Sequence, residues 1–177
     1  VVCNQWQRRI PLPRILADGN EPLVAVIIPT CREPVRLILR TVQSVYEQDY
    51  PADRLVVIVS DDGHDPALRR RLTQLFPTVV YHEPPDLHAP GRDGAAKAGN
   101  LNSALELIDA SFPDVEFVET RDADDEVGSV NFLRATLGQL HFDEQALAFM
   151  DAHAARLAEL APEGIDLNFG CPAKIVN

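Results

Sequence analysis

Cations, aromatic residues and cysteines are all scarce in this sequence. Sixteen Lys and Arg stand against 27 Asp and Glu, for a formal charge of -11 over 177 residues. That balance supplies few phosphate contacts, so no nucleic-acid partner is expected. Aromatic residues make up 6% and Trp6 is the only tryptophan, too few for a base-stacking platform. Cys3, Cys31 and Cys171 are far apart and odd in number, with no Cys-x-x-Cys or Cys/His metal spacing. This favours a reducing compartment over a disulfide framework. No run of 18 apolar residues occurs, so nothing in the sequence spans a membrane. Signal-peptide patterning, internal repeats and low-complexity tracts are lacking as well, and a cytoplasmic location is expected.

What is present is enough apolar material for one folded domain: 46% of residues. Residues 1–22, with Pro11, Pro13 and Pro22, read as an extended lead-in. Leu23 to Ile28 is a continuous apolar run and reads as a buried strand. Pro34 suits the first turn of a helix carrying Val35, Ile38, Val42 and Val45. A strand over 55–59 follows, then a helix opened by Asp65-Pro66 and a short strand over 78–81. Residues 83–95 are rich in Pro and Gly and form a loop long enough to suggest a function. The pattern continues with a helix over 97–108, a strand over 115–118 and a helix capped by Ser129 and running to Leu140. Strands alternating with helices predict an α/β fold, a mainly parallel sheet flanked by helices.

Acidic residues cluster where such a sheet holds ligands. Asp61-Asp62-Gly63 follows the second predicted strand, and Asp122 and Asp124 follow the fourth. Two carboxylates at i and i+2 suit a hard divalent cation, Mg²⁺ or Mn²⁺, carrying a phosphorylated substrate. Asp125 and Glu126 read as solvated members of the same loop, and Gly63 as the residue that permits a sharp turn. Lys97 opens a predicted helix, where the helix dipole disfavours a cation unless a diphosphate is bound there too. Asn100 and Asn102 are polar on an otherwise apolar helix. His64, His82 and His88 read as surface or core groups rather than ligands.

Five segments in order resemble the inverting nucleotide-sugar glycosyltransferases of the GT-A fold, especially the cellulose-synthase-like branch of family 2. They are Val24–Pro34, Gln48-Asp49-Tyr50-Pro51, Asp61-Asp62-Gly63, Lys97–Asn102 and Asp122/Asp124. The resemblance covers residues 23–140 and implies a GT-A-like, Rossmann-like domain that binds a UDP-sugar donor. It implies that Thr30, Glu33, Asp61 and Asp62 meet the nucleoside and that Lys97 meets the diphosphate. Asp122 is placed at the ribose or metal and Asp124 at the metal. The reaction implied is a single in-line displacement needing a general base. In the family that base comes from a later Thr-Glu-Asp type motif, and a Gln-x-x-Arg-Trp motif grips donor and acceptor. This sequence contains neither, and no residue specifies a glycan or a lipid acceptor. Relatives of this branch carry membrane helices, so the chain also reads as the cytoplasmic domain of a membrane-bound parent. A catalytically inactive nucleotide-sugar-binding module is the alternative within the same fold.

Residues 141–177 read differently. A helix over Glu144–Leu160 precedes Asn168-Phe169-Gly170-Cys171-Pro172, a segment that resembles part of a tRNA-dihydrouridine synthase, a flavin enzyme on a TIM barrel. That resemblance implies FMN, with Cys171 as the catalytic proton donor and Asn168 and Lys174 nearby. It supplies a second alternative, a fragment of such an enzyme fused to the first domain as a chimera.

Overall fold

The computed structural model describes residues 15–142. Four parallel strands form the sheet of the described residues: β1 (Val24–Thr30), β2 (Leu55–Asp61), β3 (Val80–His82) and β4 (Phe117–Thr120). Between and after them run α1 (Val35–Tyr46), α2 (Pro66–Leu75), α3 (Ala96–Ser111) and α4 (Phe132–Phe142). The spatial order is β3-β2-β1-β4. Pairing runs in register from Val24↔Leu55 to Thr30↔Asp61 on one side of β1 and from Val24↔Phe117 to Ile27↔Thr120 on the other.

Every residue of β1 is buried, which explains its unbroken apolar run. Val24, Val26 and Ile28 face one layer with Ile38, Val42 and Val45 of α1, Leu68 and Leu72 of α2, and Leu133 and Leu137 of α4. Ala25 and Ile27 face the other with Leu101, Ala104 and Ile108 of α3. The sheet is thus covered on both faces, and each fully buried aliphatic side chain contributes roughly 1.5–3 kcal/mol. The chain moves outward from β1 to β3, then crosses under α3 to β4 on the far side of β1. The β1/β4 boundary is therefore a topological switch point, where the carboxyl ends of strands open a crevice.

Local signals set the element ends. Asp65 caps α2 by accepting from the Ala67 amide at 2.8 Å, with Pro66 in the first turn. Pro34 precedes α1, as its fixed φ suits. Element ends shift by one to three residues from the sequence expectation, β3 for example lying over Val80–His82 rather than 78–81, and two shifts have a visible local cause. Strand β4 lies two residues later than 115–118, because Val115 is held in a turn by its amide bond to the Phe112 carbonyl. Helix α4 starts at Phe132; Ser129 instead bonds the Asn131 amide in a turn before it. No helix among the described residues is long and apolar enough to cross a membrane. The predicted helix over 144–160, the strand over 165–169 and Trp6, Cys3 and Cys171 lie outside the described residues.

Candidate functional site

A cavity of about 300 Å³ opens at the carboxyl ends of the strands. Thr30, Cys31 and Glu33 line it from the exit of β1, and Asp62 from the exit of β2. Ala96, Lys97 and Asn100 line it from the start of α3, and Asp122 and Asp124 from the loop after β4. Six residues singled out by the sequence, Thr30, Glu33, Asp62, Lys97, Asp122 and Asp124, thus meet on one crevice from four separate chain segments.

Asp61 is not among the lining residues. Its side chain is buried, accepting from the Gly63 amide at 2.8 Å, the Asp65 amide at 2.7 Å and the Tyr81 hydroxyl at 2.7 Å. It therefore holds the turn that presents Asp62. Burial and the Asp61 carboxylate push the Tyr81 phenol well above its ordinary range, so it stays a donor. Gly63 matters for close approach rather than for positive φ: a Cβ there would meet Asp61 Oδ1 at 2.9 Å and the Arg32 amide nitrogen at 3.1 Å. The left-handed residue of this turn is His64, with φ 49°.

Glu33 curls back over the end of β1. Its Oε2 accepts from Thr30 Oγ1 at 2.7 Å and from the Cys31 amide. Burial opposes its ionisation, but these hydrogen bonds outweigh burial and hold the carboxyl below its usual range. Arg32 between them has φ 72°.

Asp62 is paired with Arg92, a residue the sequence reading did not single out. Arg92 Nη1 and Nη2 donate to the two Asp62 oxygens at 2.8 and 2.9 Å, a bidentate fork. The same guanidinium donates to the Pro85 and Ala96 carbonyls, so it stitches the 83–95 loop to both β2 and α3. Asn102 adds a bond to the Asp93 carbonyl. The only hint in the sequence was a lone Arg between two glycines, just before Lys97 and opposite an Asp-Asp-Gly turn.

At the start of α3 no side chain caps the helix. Ala96, with φ 46°, and Lys97 face the crevice, and Lys97 Nζ reaches Asp122 Oδ1 at 2.6 Å. Asn100 is buried on the cavity wall; its amide donates to the Ser60 carbonyl at 2.9 Å, while Oδ1 has no hydrogen-bond partner.

The Asp122–Asp125 loop is pinned from beneath. Thr41 on α1 donates to the Ala123 carbonyl at 2.7 Å, and Ser44 accepts from the Val127 amide at 2.9 Å. Gln48 accepts from the Leu133 amide and Asp49 donates its amide to the Val130 carbonyl, which gives the Gln48-Asp49 segment an anchoring role. Asp125 and Glu126 are exposed, as expected, and each also makes an ion pair. Asp125 bonds Arg121 at 3.2 Å and Glu126 bonds Arg40 at 2.7 Å, so both anchor the loop ends. Asp122 and Asp124 are left facing the crevice. His64 bonds the Pro84 carbonyl and His82 bonds Ser103, in keeping with their reading as structural groups.

Asp122 and Asp124 offer hard oxygen donors, and no third His, Cys, Asp or Glu joins a metal-ligating group among the described residues. That donor set fits Mg²⁺ or Mn²⁺ carried by a diphosphate, since such ions take one or two protein carboxylates and fill their remaining positions with phosphate and water. The lining carries four carboxylates, Glu33, Asp62, Asp122 and Asp124. Arg92 and Lys97 offset two of them. The remaining double negative charge would repel a diphosphate and attract a divalent ion.

Comparison with known proteins places this geometry. No family model matches the chain. The UDP-forming cellulose synthase catalytic subunit of Pseudomonas fluorescens is 30% identical over 146 residues, 82% of this chain and 18% of that protein. Its counterpart in Xanthomonas axonopodis is 27% identical over 176 residues, 97% of this chain and 21% of that protein. The chain spans about a fifth or less of the length of the curated relatives it matches. Among solved structures, a mannosyltransferase of Pyrobaculum calidifontis in complex with GDP-mannose and Mn²⁺ gives a TM-score of 0.57 at 28% identity, over 77% of this chain and 37% of that one. The fold is accordingly a GT-A-like α/β sheet of the glycosyltransferase type.

Proposed function

We propose that residues 23–140 form the donor-binding part of an inverting glycosyltransferase that takes a UDP-sugar with Mg²⁺ or Mn²⁺. One observation carries the reading: Thr30, Glu33, Asp62, Lys97, Asp122 and Asp124 arrive from four chain segments on one crevice at the switch point of a parallel sheet. The relatives support the donor class, since one is named as UDP-forming and another was solved with a nucleoside-diphosphate sugar and Mn²⁺.

In this reading Asp62 accepts from the nucleoside, with Thr30 and Glu33 shaping the wall beside it. Asp61 serves by holding the turn that carries Asp62. Lys97 and the uncapped start of α3 meet the diphosphate, so Lys97 exchanges its Asp122 partner for phosphate oxygens. Asp122 and Asp124 would hold the metal, which supplies charge neutralisation of the departing diphosphate. Transfer further requires a group to take the acceptor proton. The sequence holds neither the Thr-Glu-Asp type nor the Gln-x-x-Arg-Trp motif, which favours a chain that binds donor and does not transfer by itself.

Calorimetry on the full chain tests this. UDP with Mn²⁺ should bind, binding should vanish with chelator, and Asp124→Asn should abolish the metal requirement together with most of the affinity. Unchanged binding in Asp124→Asn would remove that residue as a ligand. Tighter binding of GDP than of UDP would replace the donor assignment. Robust sugar transfer by the purified chain would overturn the binding-only reading.

A further inference from the structure

We infer that Arg92 is the positioning residue of the nucleoside end of the cavity, fixing the Asp62 carboxylate and locking the 83–95 loop against it. The inference rests on the proposed donor site and adds a residue to it.

Four hydrogen bonds carry the argument. The Arg92 fork fixes both Asp62 oxygens in one plane, and its two remaining terminal N–H groups bond Pro85 and Ala96. The side chain is 2% exposed and Asp62 16%, so the acid still shows an edge to the cavity while the cation lies behind it. Each carboxylate oxygen keeps a second lone pair for a hydroxyl or imide N–H of the ligand. With its charge offset, Asp62 can accept those bonds without repelling a diphosphate farther along the crevice. An unpaired Asp62 would still accept hydrogen bonds but in no fixed plane, and with its full charge facing the diphosphate.

The backbone is shaped to admit this arginine. Gly91 and Gly94 have φ of 93° and 90°, bracketing Arg92 with turns that favour glycine. Gly99 on α3 is equally constrained: a Cβ there would meet the Gly94 carbonyl oxygen at 2.2 Å and Arg92 Nε at 2.7 Å. Loop, guanidinium and helix therefore fit only with a bare α-carbon at 99. Because Ala96 is a partner of the same guanidinium, the loop closes on α3 as it closes on Asp62.

The test compares uridine, UDP and Mn²⁺-pyrophosphate binding to the full chain by calorimetry, alongside thermal unfolding. Arg92→Gln should weaken uridine and UDP by roughly 10- to 100-fold, the loss expected when a hydrogen bond to a charged group is spoiled. Mn²⁺-pyrophosphate should change by no more than about 2-fold, since it addresses Lys97, Asp122 and Asp124. Arg92→Lys keeps the charge but not the fork and should fall in between. In an Asp62→Asn background, Arg92→Gln should add less than about 2-fold. If Arg92→Gln does not fold, Arg92→Lys, which keeps the charge and fills most of the same space, carries the comparison: it should still weaken uridine and UDP while leaving Mn²⁺-pyrophosphate within about 2-fold. An equal loss for uridine and pyrophosphate would make Arg92 merely structural and overturn the inference. So would unchanged uridine binding. A wild-type chain that binds pyrophosphate with Mn²⁺ but neither uridine nor UDP would overturn the nucleoside reading itself.

Discussion

The molecule carries two acidic segments at the ends of parallel strands, Asp61-Asp62 after β2 and Asp122 to Glu126 after β4, and it treats them in opposite ways. In the first, both carboxylates are held in place: Asp61 by two amides and a phenol, Asp62 by a buried guanidinium that leaves an edge of it on the cavity. In the second, the outer acids Asp125 and Glu126 are tied to arginines, while the inner ones face a crevice with only a half-exposed lysine in reach of Asp122. In the proposed donor site, the first segment would be a wall held by its own hydrogen bonds before any ligand arrives. The second keeps its oxygens available, which is the state a metal-borne substrate requires. Residue type and spacing alone do not distinguish the two; the partners do.

The largest effect should come from breaking the first segment. Asp61→Ala leaves three donors without their acceptor in a half-buried turn and should cost about 2–4 kcal/mol in urea unfolding. Asp124→Ala, exposed and unanchored, should change stability by no more than about 0.5 kcal/mol while removing metal-dependent donor binding. Equal stability losses would mean that the Asp122–Asp125 loop is as tightly built as the turn.

An intermediate effect separates two glutamates by pH. Glu33 has a folded pKa below its ordinary value of 4.5, so its stabilisation is present above that value and is lost as pH falls through the folded pKa. Glu119 on β4 is the reverse: burial raises its pKa, outweighing the pull of Arg121 beside it. Its ionised form costs stability above the folded pKa, and that cost is relieved as pH falls toward 4.5. Wild-type unfolding free energy should therefore gain from Glu119 on mild acidification and lose from Glu33 below it. The difference between wild type and Glu119→Gln, followed against pH, should show the first change alone; a flat difference would contradict it.

Much of this was legible in the sequence. The strands β1 and β2, the Asp65-Pro66 helix start and the long loop follow from apolar runs and turn chemistry, which are local. The crevice residues were legible because they sit at strand ends in order. What was hidden depends on pairing across the chain. Glu119 falls one residue past the strand expected over 115–118, yet β4 runs through it in register with Val26, and Arg121 folds back to meet it and packs over Phe132. Arg92 lies in a loop without periodicity, and its partner is 30 residues away. Asp61 and Asp62 are neighbours of one type, and only the half-buried phenol of Tyr81 and the fork of Arg92 assign them different work.

The smallest stability effects sharpen the comparison most, because they separate anchoring from availability within one loop. The Arg40–Glu126 pair, at 2.7 Å, and the Lys97–Asp122 pair, at 2.6 Å, are alike in exposure, with side chains 65% and 42% exposed in the first and 46% and 58% in the second. Exposed ion pairs of this kind contribute about 0.2–1 kcal/mol, less in high salt. Glu126→Gln and Lys97→Met should therefore shift the urea midpoint by similarly small amounts, and both shifts should shrink as salt is added. Ligand binding should split them. Glu126→Gln leaves the crevice lining intact, so UDP with Mn²⁺ should bind as in wild type. Lys97→Met removes the cation that offsets Asp122, so Mn²⁺ alone should bind more tightly than in wild type. UDP should bind less tightly, because the diphosphate loses its lysine. That opposite movement of metal and nucleotide is the signature of a residue that alternates between two partners. If both affinities fall together in Lys97→Met, the Lys97–Asp122 bond is an anchor like its neighbour, and the second acidic segment is as closed as the first.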